Sequence, residues 1–138
     1  MSGMIGIFLT VSLLTLLPGC NKISLNGTST PNETAPNAPI LASGQLIGLN
    51  GKTVGGLAIA YNPSSGANIL RLSGITLPNE TGMQIIANVN GVEQSPITVQ
   101  YYTGSTNYTM NVSGSTAWTI VTIHSTATNL DYAQAIMK

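Results

Sequence analysis

From residue 40 onward, apolar side chains recur at every second position, and no long window carries the spacing of about 3.6 residues that a helix needs. Leu57, Ile59 and Tyr61 alternate with Ala58 and Ala60; Ile85, Ala87 and Val89 alternate with Ile86 and Asn88; Ile97, Val99 and Tyr101 alternate with Thr98, Gln100 and Tyr102. Successive side chains of a strand point to opposite faces, so this period describes sheets with one buried side. Asn62-Pro63-Ser64-Ser65-Gly66, Pro78-Asn79-Glu80-Thr81-Gly82, Asn90-Gly91 and Thr103-Gly104-Ser105 punctuate the runs with residues that tolerate or preset turn geometry. The pattern predicts strands near 43–49, 53–61, 68–74, 83–89, 96–102, 107–112, 117–124 and 129–137. About eight short antiparallel strands at such spacing predict an all-β fold, a single β-sandwich that is jelly-roll-like or a related barrel. The run LDYAQAIM at 130–137 could also suit a helix, but without an apolar stripe or caps it reads as the last strand.

A chain of 138 residues has room for one well-cored domain. Ahead of it lie two segments of different character. Residues 4–17, MIGIFLTVSLLTLL, form an apolar run of signal-peptide length, shorter than the roughly 20 residues that span a bilayer. From 21 to 39 the sequence NKISLNGTSTPNETAPNAP has almost no apolar residues to offset its ordering entropy and is expected to act as a spacer, stiffened by Pro31, Pro36 and Pro39. The organisation read here is a signal peptide at 1–19, a lipidated, disordered tether at 20–39 and a β-sandwich at 40–138.

The apolar run ends in Leu17-Pro18-Gly19-Cys20, which resembles the lipobox of bacterial lipoproteins, with Pro18 where Ala, Ser or Thr is usual. The resemblance implies diacylglycerol on Cys20 and a chain exported and fixed to the cell membrane or outer membrane; Asn21 is compatible with transfer to the outer one. Two or three acyl chains, at about 0.8 kcal/mol per buried methylene, hold a domain of this size on a membrane essentially permanently.

Residues 41–137 resemble a second family, the DM-thirteen domain of bacterial lipoproteins and animal proteins. The likeness runs through Ser43-Gly44, Gly55-Gly56-Leu57-Ala58-Ile59, Ile69-Leu70-Arg71-Leu72, Ile75-Thr76 with Gly82, and Met83 to Val89. It continues through Gly104-Ser105-Thr106-Asn107-Tyr108 and Val121-Thr122-Ile123-His124-Ser125, then Leu130, Tyr132 and Ala135. It implies a β-sandwich with a proposed redox or electron-transfer role that rests on a cysteine in the penultimate strand. The matching position here is Ser125, and a hydroxyl cannot do thiol chemistry.

The polar residues offer little else. Lys and Arg number 4, as do Asp and Glu, so no basic surface exists to neutralise phosphates, and nucleic acid is not an expected partner. His124, Ser125 and Asp131 have the residue types of a hydrolytic triad, but neighbours in a strand face opposite ways, so His124 is not expected to polarise Ser125. One His and the acids Glu80, Glu93 and Asp131 are too few and scattered for a metal site. A His124 pair with Met83 or Met110 could in principle ligate haem, but core filling is the favoured reading of those methionines, and no cofactor is expected. Of Tyr101, Tyr102, Tyr108 and Trp118, alternation turns Tyr101 inward and Tyr102 outward, leaving at most a small sugar-binding platform, and packing is the reading for Trp118. The residues to look for on a shared ligand face are Tyr102, His124 and Ser125. The function expected is a non-catalytic envelope module that binds a protein or small ligand, with a redox accessory domain or a subunit of a surface layer or fibre as alternatives.

Overall fold

The computed structural model describes residues 31–64 and 66–138; the expected signal peptide and Cys20 lie outside the described residues. Among the described residues ten strands follow one another: β1 (Ile40–Gln45), β2 (Ile47–Gly48), β3 (Gly55–Tyr61), β4 (Ala67–Thr76), β5 (Met83–Val89), β6 (Val92–Glu93), β7 (Ile97–Thr98), β8 (Thr103–Ser113), β9 (Trp118–Ser125) and β10 (Leu130–Ile136). They form two antiparallel sheets, ordered β1-β3-β4-β8 and β2-β10-β9-β5-β6, with β7 also on β5. The fold is all-β and sandwich-like, and the segment that could have been helical is β10.

In β5 alternation does the sorting that the sequence implies, whereas in β3 it is Ala58 and Ala60 that face inward, with Leu57 exposed and Ile59 half-buried. Along β5, Met83, Ile85, Ala87 and Val89 are buried while Gln84, Ile86 and Asn88 are half-buried. Val121 and Ile123 of β9, Ala133 and Ala135 of β10, Ala58 and Ala60 of β3, and Leu70 and Leu72 of β4 complete one apolar cluster. Asn90 and Gly91, both at positive φ, make the two-residue hairpin between β5 and β6 that their pairing predicts.

Three strand readings change, the first at Thr103-Gly104-Ser105, expected as a turn before a strand at 107–112 but here the opening of β8. The strand expected at 43–49 is two, because at the buried Leu46 the chain leaves the first sheet and enters the second. The strand expected at 96–102 shrinks to Ile97–Thr98, after which the chain crosses back to the first sheet.

The sheets are stitched where β1 meets the chain end: Ser43 and Lys138 exchange two backbone hydrogen bonds, each 2.9 Å. Beside this seam a Cβ on Gly44 would be driven into the carbonyl oxygen of Ile136, and its nearest neighbours are backbone that cannot rotate away. Gly44→Ala is expected to cost about 3 kcal/mol, as overpacking at a rigid contact does. Urea unfolding monitored through Trp118 checks this, and a midpoint unchanged from wild type would show that the seam gives way freely.

On the opposite edge, residues 31–34 run parallel to β8. Asn32 bridges Ser105, Ser105 N–H donates to the Pro31 carbonyl at 2.8 Å, and Glu33 N–H donates to the Ser105 carbonyl at 3.0 Å. The Glu33 carboxylate accepts the Asn107 backbone N–H. The Asn107 side chain accepts from Arg71 Nη1 at 2.9 Å and donates to the Thr34 carbonyl at 3.0 Å. A Cβ on Gly104 would strike the Pro31 carbonyl, so glycine there is what lets this strap lie close. Part of the segment read as spacer, residues 31–34, thus lies along the sheet edge through an isolated bridge. Its pairing uses mostly backbone groups of an exposed edge, which composition does not reveal.

Candidate functional site

One end of the sandwich gathers most of the polar chemistry. The segments 49–54, 77–82, 99–102 and 126–129 leave the strands there, and the pairings Gly55↔Thr76, Thr76↔Thr103, Met83↔Ser125 and Leu130↔Ser125 line up the strand ends beneath them.

Tyr132 is the centre of this end. A register irregularity between Asp131 and Ala133 lets Tyr132 and Ala133 both be buried, and the Tyr132 side chain is fully enclosed. Its hydroxyl donates to Glu80 Oε2 and accepts from Thr128 Oγ1 at 3.3 Å. Lys52 Nζ lies 4.2 Å from the centre of the ring and 3.5 Å from Glu80 Oε1. A cation over an aromatic face is attracted by the ring quadrupole, so Lys52 is held by ring and carboxylate together. Nearby, Asn50 Nδ2 donates to the Asp131 carbonyl at 2.8 Å, and the Thr128 N–H donates to Ser125 Oγ at 3.3 Å.

These contacts shift both charged groups. The Tyr132 hydroxyl, aided by Lys52, holds the Glu80 carboxyl below its ordinary 4.5. Tyr132 first and Glu80 second hold the Lys52 ammonium above its ordinary 10.5, against partial desolvation. A carboxylate whose pKa is lowered by folding stabilises the native state above the unfolded pKa, and that stabilisation disappears as pH falls through the folded value. Wild-type stability is therefore expected to fall more steeply below about pH 4.5 than that of Glu80→Gln. Urea midpoints across an acid pH series check it; parallel curves would show that Glu80 is not coupled to folding. The Lys52 contribution has the opposite sense: it is present below 10.5 and is lost as pH rises through the raised value.

The candidate ligand face does not assemble. Ser125 is fully buried on the inner side of β9, while His124 points outward and its Nδ1 meets Asp131 Oδ1 at 2.9 Å. Tyr102 is half-buried against the core and Tyr101 is 40% exposed, the reverse of their expected orientation. The physical reason is local: strand alternation carries from one residue to the next only inside a strand, and both tyrosines lie beyond the end of β7. Tyr108 and Trp118 are buried too. Burial, with the Glu33 charge second, pushes the Tyr108 hydroxyl up to about 12. Met83 and Met110 are core residues, on the opposite side from the His124 ring. Among the described residues no three His, Cys, Asp or Glu side chains converge as metal ligands.

A shallow groove of about 340 Å³ runs beside β2 and β10, lined by Gln45, Ile47, Leu49, Gln134, Ile136 and Lys138. Ile47 and Ile136 are each 64% exposed there.

The Lys52–Tyr132–Glu80 group was not legible as a unit, because its members are far apart in sequence. Glu80 draws notice only as a scattered acid, and the one signal for Lys52 is that charged residues are scarce enough for each to merit a partner search. Comparisons with protein families, with curated proteins and with solved structures return no match for this chain.

Proposed function

We propose that this chain is a non-catalytic module of the bacterial cell envelope, held to the membrane by lipid on Cys20 and binding a protein partner or small ligand there. The observation that carries the non-catalytic part is the separation of the chain's single histidine from Ser125: His124 pairs with Asp131 on the outer face of β9, and the Ser125 hydroxyl is enclosed on the inner face, where it accepts the Thr128 N–H. A serine nucleophile needs a base within hydrogen-bond reach and an open approach for the substrate. The lipid part is supported by Leu17-Pro18-Gly19-Cys20 at the end of an apolar run. Affinity capture from solubilised envelopes tests the reading: reproducible recovery of a partner or ligand supports it, and substrate turnover with no captured partner sinks it.

The redox alternative draws on the DM-thirteen resemblance, and the burial of Ser125 bears on it. Even a thiol at this position would be enclosed, and a buried thiol in apolar surroundings is kept protonated and unreactive. Ser125→Cys with Cys20 replaced by Ala is therefore expected to resist thiol reagents in the folded state and to react fully in denaturant. Rapid labelling of the native protein would reopen the redox reading, as would a reversible electrochemical response of the purified wild-type domain.

A further inference from the structure

The strap 31–34 fixes the side from which the chain enters the domain. It runs parallel to β8 with Asn32 beside Ser105 and Pro31 against Gly104, close to where β8 begins. Pro31, the first described residue, therefore lies toward the end that carries Lys52, Glu80 and Tyr132. Eleven peptide steps separate Cys20 from Pro31, with a fully extended reach of at most about 40 Å. The eleven residues of β8 measure roughly 35 Å from this end to the other. Bringing the far end to the lipid would use nearly all of that reach running along the flank of the domain, whereas the near end needs little of it.

The near end also has side chains suited to such a neighbour. Leu130 is 43% exposed and Tyr101 is 40% exposed. They flank a hydrogen-bonded row that runs from Leu130 through Ser125 and Met83 to Val99, two residues before Tyr101. Tyrosine suits the headgroup level, where one edge of the ring is wet and the other apolar. Among the described residues of this end Lys52 is paired with Glu80, and Asp131 is hydrogen-bonded to the His124 ring, so the contact does not call for anionic lipid. The far end presents the turns 62–64, 90–91 and 114–117, and the exposed Ile40, Val92 and Ile136 lie near it, so exposed apolar area does not choose between the ends and the length of chain between Cys20 and Pro31 does.

Resting on the lipid reading of Cys20, we propose that the Tyr101–Leu130 end is the membrane-facing surface, seated on the lipid interface, and that residues 62–64 and the turns 90–91 and 114–117 point away from it.

The test uses the full-length, lipidated protein in phosphatidylcholine vesicles whose acyl chains are brominated. Because an acylated Cys20 is unreactive, Leu130→Cys, Tyr101→Cys and Ser115→Cys each carry one thiol for a small fluorophore. Bromolipid is expected to quench the label at 130 and at 101 by at least about twofold and to leave the label at 115 unchanged. Equal quenching at all three positions, or quenching at 115 alone, overturns the orientation while leaving the anchor intact. Labelling of the unsubstituted parent, by contrast, shows a free Cys20 thiol and overturns the anchor itself.

Discussion

Replacing Tyr132 by Ala is expected to lower the unfolding free energy by about 4 kcal/mol, the range for deleting a fully enclosed aromatic ring. The side chain is 0% exposed and is the largest of the fully buried ones. Its loss opens a cavity between β10 and the loops above it, and leaves Lys52 without the ring and Glu80 without the hydroxyl. Tyr132→Phe separates these effects. The ring and its packing stay, the cation keeps its aromatic face, and the hydroxyl is removed, at an expected cost of about 1–2 kcal/mol. With that donor gone, the Glu80 pKa rises toward its ordinary value, so the acid limb of the stability curve flattens as it does in Glu80→Gln. Urea unfolding of both variants at neutral and acid pH measures this. If Phe costs as much as Ala, the hydroxyl rather than the ring dominates and the packing account of this end is wrong.

Replacing Cys20 by Ala is expected to move the protein from the membrane fraction to the soluble fraction by several orders of magnitude in partition. Acyl chains contribute about 0.8 kcal/mol per buried methylene, so two or three of them exceed anything that exposed Tyr101 and Leu130 side chains supply. The same variant is expected to unfold at the wild-type urea concentration, because the core side chains lie between Ala42 and Met137 and the strap residues 31–34 on the β8 edge keep their bonds. Fractionation and urea unfolding of one preparation check both halves. Retention in the membrane after high-salt and carbonate washes would show that something other than lipid on Cys20 holds the protein there.

How far the sequence reaches is clear from particular residues. The strands at Gly55–Tyr61 and Met83–Val89 lie in the middle of sheets and were readable to within two residues, but only the second alternates cleanly: in the first Ala58 and Ala60 face inward, Tyr61 is buried beside them, and Leu57 is exposed. Asn90-Gly91 announced its hairpin because both residues accept positive φ. What escaped was non-local. The switch of sheets at Leu46, the strap of residues 31–34 on β8 and the bonds between Ser43 and Lys138 depend on which backbone edges meet, and no side-chain pattern encodes that directly. The same holds for the polar end. Alternation correctly set His124 and Ser125 on opposite faces, but it failed for Tyr101 and Tyr102, where the strand has already ended. Tyr132, Glu80 and Lys52 come from three different connections or strand ends, and only the fold brings them together.

Cys20 is the chain's single cysteine, and the buried Ser125 stands where the DM-thirteen resemblance would place another. The most direct test is the intact mass of the protein from bacterial membranes, with fragmentation from its N-terminus. The result expected is a mature chain that begins at Cys20 and carries diacylglycerol on the sulfur. A chain cleaved elsewhere, or one that begins at Cys20 with a free thiol, would contradict the lipid anchor and with it the placement of this domain on a membrane surface.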